Sequence, residues 1–246
     1  MGRLGVLAQR VPDDRGAALI REHRFNSRWW GGRVGIVEDV ADLSELHQFD
    51  WVELRAELAT APLEKIARAG FFQVDTQLPF RIALQRVPET PSLAALQIER
   101  GPFTIETQDV APFAHERYRY LPGMTEERLT RRYADWAVEQ VDQHPEWCLR
   151  VSSGGTTQGW FLSQMTEEGL NLELAMLHRS ATISGALLYQ KALVEYAKLG
   201  ARLGYARFSV TNTAVLNIYA QLGARFLPPV GTWLWVTSPR GTPPPC

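Results

Sequence analysis

The sequence predicts a mixed α/β protein. Three observations carry that expectation. Strand-length segments with alternating or continuous apolar residues recur along the chain, two longer stretches repeat apolar residues at helical spacing, and one strand–helix–strand pattern occurs twice. The chain has 246 residues, 45% hydrophobic and 22% charged, with a formal net charge of −1. At roughly 150 residues per domain, this is one large domain or two small ones. A chain of this length buries a core without disulfides or metals. The near-neutral charge argues against a nucleic-acid partner. Cys148 and Cys246, the 2 cysteines, make neither a disulfide framework nor a cysteine-rich zinc site, so no metal is expected. No apolar run reaches the roughly 18 residues a membrane span needs. The opening MGRLGVLAQRVPDD has too short an apolar run for a signal peptide, and Val6 breaks the myristoylation pattern. The expectation is a cytoplasmic protein with no membrane partner.

In the first half, Gly35 to Val37 reads as a strand after a Gly-Gly turn, and Trp51 to Ala56 as another. A short helix follows, with Pro62 in its first turn, Leu63, Ile66 and Ala67 on one face, and Gly70 where a left-handed cap belongs. Residues 71–84 read as a long strand interrupted by Pro79, and residues 86–101 as a connector. Phe103 to Thr107 is a further strand candidate. Thr125 caps a helix running to about Gln143, with Glu126 and Glu127 at its positive end. Its apolar positions are Leu129, Tyr133, Trp136, Ala137 and Val141; Arg128, Arg131 and Arg132 belong to a solvated side. Residues 147–151 and 158–164 form a hairpin around SSGGTT, and 170–177 a third strand. After the loop HRSATIS, an amphipathic helix spans about 185–203. A strand at 207–210, a helix at 214–222 ended by Gly223, and a strand at 232–236 complete the pattern. The tail SPRGTPPPC has no packing pattern.

WVELRAE…PLEKIARAGFFQV in the first half echoes RFSVTNTAVLNIYAQLGARFL in the second: each is a strand, a short helix ended by glycine, and a strand. The loop entering the helix at Gly185 offers unpaired backbone N–H groups and the positive end of a helix dipole, a site suited to a diphosphate. The donors are the amides of Thr182, Ile183, Ser184, Gly185 and Ala186.

The segment ISGALLYQKALVEYAKLGARLGYARFSVTNTAVLNIYAQLGARF resembles the GCN5-related N-acetyltransferases (GNAT), through Asn212, Tyr219, Leu222 and Gly223 at the family's Asn-x6-Tyr-x2-Leu-Gly spacing. Asn212 to Leu216, Thr232 to Trp235, Arg117-Tyr118 and Cys148-Leu149 are similar to a branch acting on nucleotide-linked amino-deoxysugars. The resemblance implies a GNAT fold: a mixed, mostly antiparallel sheet flanked by helices, at residues 102–238. A truncated GNAT-like domain at 1–85 precedes it, 86–101 connects them, and 239–246 is a disordered tail. It implies acetyl-CoA as cosubstrate and a nucleotide-sugar amine as acceptor. The phosphate loop departs from the family's pattern: Ser180 to Ala186 keeps only its second glycine. The first core helix is shortened, since only APFAHE separates Asp109-Val110 from Arg117-Tyr118.

Direct attack by an amine on a thioester needs a proton acceptor, donors for the oxyanion and a proton for the leaving thiolate. Tyr219 stands at the family's general-acid position. Backbone amides of Ala175, Met176 and Leu177 suit the oxyanion. Glu173 is a candidate base or a half-exposed strand residue, and His178 a second proton-transfer candidate. Asn212 either contacts the CoA arm or caps the following helix; Asn217 is placed with the CoA contacts. Arg117 and Tyr118 either contact the acceptor or are a solvated and a packed side chain. Cys148 reads as a buried apolar residue, and Trp29-Trp30 as domain packing. Exposed edges of the N-terminal sheet make a homodimer reasonable.

Overall fold

The computed structural model describes residues 20–38 and 43–237. The tail at 239–246 and most of the N-terminal 22 residues lie outside them. In chain order the strands are β1 (Arg21–Glu22), β2 (Val34–Val37), β3 (Trp51–Glu57), β4 (Phe72–Ala83), β5 (Leu96–Arg100), β6 (Cys148–Ser153), β7 (Thr156–Thr166), β8 (Gly169–Leu177), β9 (Leu203–Ser209), β10 (Arg225–Phe226) and β11 (Val230–Val236). The helices are α1 (Arg24–Trp30), α2 (Leu63–Arg68), α3 (Glu126–Gln143), α4 (Gly185–Lys198) and α5 (Thr213–Gln221).

Local chemistry accounts for most element ends. Thr125 and Ser184 cap α3 and α4 by accepting from the amides of Arg128 and Leu187. Past α4, α5 and α2, glycines 200, 223 and 70 hold φ of +95°, +81° and +84°, a region other residues rarely adopt. Gly200 therefore stops α4 at Lys198, short of the expected 203, and the freed residues extend β9 back to Leu203. Two expectations fail on packing. In α2 only Ile66 is buried, while Leu63 is 54% exposed. Phe103 and Ile105 do pack against α3, but their backbone pairs with no strand. Residues 86–101 are not all connector, since residues 96–100 form β5.

The strands form one sheet in the order β1-β2-β3-β11-β4-β9-β8-β7-β6-β5, with β10 pairing β4 beside that path. The sequence halves are therefore not separate sheets. β4, the last strand of the first half, lies between β9 and β11 of the second, and β11 pairs on its other side with β3. The first copy of the strand–helix–strand repeat is β3–α2–β4; the second, β9–α5–β10, ends on a two-residue strand that pairs with β4, and the longer β11 follows it. β9 pairs antiparallel with β4, and β3 with β11, so β4 and β11 are exchanged between the halves. Pro79 interrupts nothing: it sits within β4 opposite Arg207, and its carbonyl accepts from Leu227.

Helices cover both faces. Leu149, Val151, Phe161 and Leu170 bury one face under Leu188, Leu193 and Tyr196 of α4 and Tyr219 of α5. Cys148, Trp160, Leu162 and Met176 bury the opposite face under Tyr133, Ala137 and Val141 of α3. Each fully buried large apolar side chain contributes roughly 1.5–3 kcal/mol. Arg132 departs from the expected solvated side of α3. It is buried, and its Nε and Nη2 donate to Asn26 Oδ1 among Trp29, Tyr118 and Tyr133.

Candidate active site

The site begins where the sheet opens. β8 and β9 are parallel and pair only through Leu170–Gly204 and Asn171–Tyr205; beyond Asn171 they part. A β-bulge coincides with the parting. Leu162 pairs with Leu174 and Gln164 with Asn171, so β8 carries one extra residue there. The side chains confirm it: Leu170 and Leu172 pack toward α4, whereas Leu174 and Met176 pack toward α3. Residues 109–111 close the far end of the opening: Ala111 N donates to Leu177 O, and Arg179 N to Asp109 O. Leu177 and Arg179 thus turn their backbone groups away from β7. By the period of two, Ala175 turns its amide the same way, into the opening.

The loop before α4 differs from its expected use. Gln158 Oε1 on β7 accepts from Thr182 N at 2.8 Å, Thr182 Oγ1 at 3.1 Å and Ile183 N at 3.2 Å. Two of the five amides expected to hold a diphosphate are therefore occupied, because a buried carboxamide oxygen needs donors. Gly185 and Ala186 stand in the first turn of α4, where a helix leaves N–H groups without partners. A Cβ on Gly185 would meet nothing closer than Ile218 Cδ1 at 3.8 Å, so protein packing does not demand glycine there.

Asn212 is the cap of α5, its Oδ1 accepting from Val215 N at 3.2 Å, and Asn217 lies exposed on the same helix. Tyr219 is 3% exposed, its ring 4.0 Å from Phe80 and stacked on Phe208, with Tyr189 edge-on. Burial, with Tyr189 and Tyr196 nearby, raises its pKa well above the usual phenol value. Glu173, in the bulge, accepts from Asn171 Nδ2; burial raises its carboxyl pKa, opposed by Arg207 and Arg55. His178 bonds Ser180 and lies 3.7 Å from Asp109. Cys148 is buried, its thiol pushed up to about 12 chiefly by burial, which fits its apolar reading. Trp29 and Trp30 pack on Tyr118 and Trp51, as packing residues do.

A cleft of about 580 Å³ lies where β4, the end of β9 and residues 114–120 meet. Arg117 lines it and is not the solvated side chain of the other alternative: it is largely buried, and its Nε donates to Glu53 at 3.0 Å. Tyr118 takes the packed alternative: it is fully buried and donates to Glu53 Oε2 at 2.6 Å. Burial would raise the Glu53 pKa, but Arg117, Arg55 and the Tyr118 hydrogen bond together hold it far below the carboxylate range. Asp75, Ser209, Thr211 and His115 also line the cleft and form a hydrogen-bonded chain. Sequence reasoning missed all four. They come from three distant segments, and the sole local sign is the polar alternation of Gln73, Asp75 and Gln77.

No family model matches the sequence, and no curated protein matches it. Solved structures do. A GCN5-related N-acetyltransferase from Sphaerobacter thermophilus is similar at 17% identity and TM-score 0.50, over 78% of this chain and 63% of the other. This chain thus spans less than two thirds of that protein's length. A GCN5-related N-acetyltransferase from Kribbella flavida is similar at 11% identity and TM-score 0.50, covering 85% and 83%. The GCN5-related glucosamine N-acetyltransferase region of a fungal GH3 β-N-acetylglucosaminidase is similar at 8% and 0.53, covering 82% and 30%. The chain has the GNAT fold: a mixed sheet, parted between two parallel strands and flanked by helices.

Proposed function

We propose that this protein is an acetyl-CoA-dependent N-acetyltransferase, and that its acceptor is the amine of a nucleotide-linked amino-deoxysugar such as dTDP-4-amino-4,6-dideoxygalactose. The observation that carries the reading is the parting of β8 from β9 at a bulge, with the loop after the far end of β8 leading into the first turn of α4. The residues there fit acetyl-CoA. The amides of Ser184, Gly185 and Ala186 suit its diphosphate, and open space at Gly185 lets an anion approach the backbone. When bound, it supplies an activated acetyl thioester. On this reading the Ala175 amide polarises a carbonyl oxygen, and the Tyr219 phenol, kept protonated at neutral pH by its raised pKa, hydrogen-bonds a developing thiolate. The acceptor half of the reading rests on the sequence resemblance and on the polar cleft lined by Arg117. The first 85 residues are, on the same reading, a truncated copy of the fold, supported by the paired strand–helix–strand units.

One observation favours a second reading, a GNAT-fold protein that binds without catalysis: Gln158 already occupies the amides of Thr182 and Ile183. Calorimetric titration with acetyl-CoA, paired with an assay of thiol release in the presence of an amine, separates the two, since a binder without catalysis releases no thiol. The transferase reading expects saturable binding below about 1 mM, with a matching rise in melting temperature. No heat and no shift at that concentration would overturn it.

A further inference from the structure

The chain of four side chains along the cleft has a defined polarity. Ser209 Oγ donates to Asp75 Oδ1 at 2.7 Å. Its bond to Thr211 Oγ1, 2.8 Å long, must then have Thr211 as donor, because a hydroxyl carries one hydrogen. Thr211 in turn accepts from His115 Nδ1 at 3.0 Å. Every donor in the chain is directed at one half-buried carboxylate. The charged groups around it are Glu116, Arg117 and Arg119 on the loop, Arg207 on β9, and Glu53 and Arg55 on β3 beyond β11; β11 itself carries none. Of the two arginines that line the cleft, Arg117 bonds Glu53, and Arg119 bonds the carbonyls of Ala114 and Glu116. Neither forms a salt bridge with Asp75.

We propose that Asp75 receives the ammonium group of the acceptor and takes its proton, with Ser209, Thr211 and His115 as the positioning residues that hold the carboxylate. This rests on the transferase reading and assigns it a proton acceptor. In the step, an N–H bond of the ammonium breaks and an O–H bond forms on the Asp75 carboxyl. The electron pair stays on nitrogen, which becomes able to attack a carbonyl. The proton then leaves to solvent through the cleft mouth. Burial, the largest influence on this carboxyl, raises its pKa against the Ser209 hydrogen bond and Arg117, and so strengthens it as a base. Ser209 and Phe208 are consecutive on β9, so their side chains point to opposite faces. Phe208 stacks on Tyr219, which places the amine and the phenol on either side of the same strand.

The test has two arms. In the first, the full chain is titrated with ethanolamine, glucosamine and putrescine at pH 8, without acetyl-CoA. Wild type should bind at least one, and Asp75→Asn, which keeps the side-chain shape, should bind it at least tenfold more weakly. Failure of wild type to bind any, or equal binding by the variant, overturns the proposal; circular dichroism confirms the variant's fold. In the second arm, acetyl transfer to the bound amine is followed by thiol release. Asp75→Asn should lower kcat/KM at least 100-fold and lose the acidic limb of the pH profile. Ser209→Ala should move that limb, and Ser209→Thr should restore it. Unchanged rates and pH profile in Asp75→Asn would overturn the assignment. Asp75-dependent amine binding with no transfer would instead overturn the transferase reading and leave the amine site standing.

Discussion

Tyr219 shows how burial shapes a single group's chemistry. Its ring is locked between Phe80 and Phe208, and its raised pKa keeps the hydroxyl protonated across the neutral range. Tyr219→Phe keeps the ring packing and removes only the hydroxyl. Turnover should fall about 100-fold, the usual worth of a proton donor, while the calorimetric acetyl-CoA affinity stays within about twofold. Unchanged turnover would remove Tyr219 from the acid role. His23 supplies a pH-dependent residue away from the cleft. Its ring nitrogen accepts from Asn26 N at the start of α1, which requires the neutral form. Burial, aided by Arg132 and Arg55 and opposed by Glu53, lowers its pKa from 6.5 to about 4. A depressed histidine pKa means the fold prefers the unprotonated ring. Its contribution is present above about pH 6.5 and is lost as pH falls toward about 4. His23→Asn keeps a capping oxygen without titrating. Its melting temperature should fall less than that of wild type between pH 7 and pH 4.

At the scale of elements, the loop before α4 and the strand β7 form one unit through Gln158. The carboxamide oxygen competes for amides that an anion would otherwise use. Gln158→Ala should free them and tighten acetyl-CoA binding about tenfold by calorimetry. Weaker binding would mean that Gln158 shapes the loop for the ligand rather than competing with it. The strands and helices of this region were legible in sequence, as was the end of α5 at Gly223, which acts on its own neighbours; the end of α4 at Gly200 was not. Gln158 was not legible as a loop partner, since 24 residues separate it from Thr182 and no spacing rule links them.

Across the whole molecule, the exchange of β4 and β11 ties both sequence halves to one cooperative unit. Trp233, on the last strand, is buried with Val52, Leu54 and Ile66 of the first half. Trp233→Ala should cost about 3–5 kcal/mol, the usual loss for emptying a buried aromatic site, and should leave a single unfolding transition. Two separate transitions in calorimetry would contradict the coupling. The exchange also makes the cleft a joint product: Asp75 comes from the first half, Ser209 and Thr211 from the second.

The sequence by itself determined the element types, most of their ends, the strand–helix–strand repeat and the positions of Tyr219, Gly185 and Asn212. Those follow from side-chain periodicity and from caps and turns that work within a few residues. Only the tertiary structure decided that the halves share one sheet, that β8 bulges as it leaves β9, that Tyr118 and Arg132 are buried, and that Asp75 meets Ser209. Each of these depends on strand pairing or packing between residues far apart in the chain, where energy is set by partners that no local pattern names.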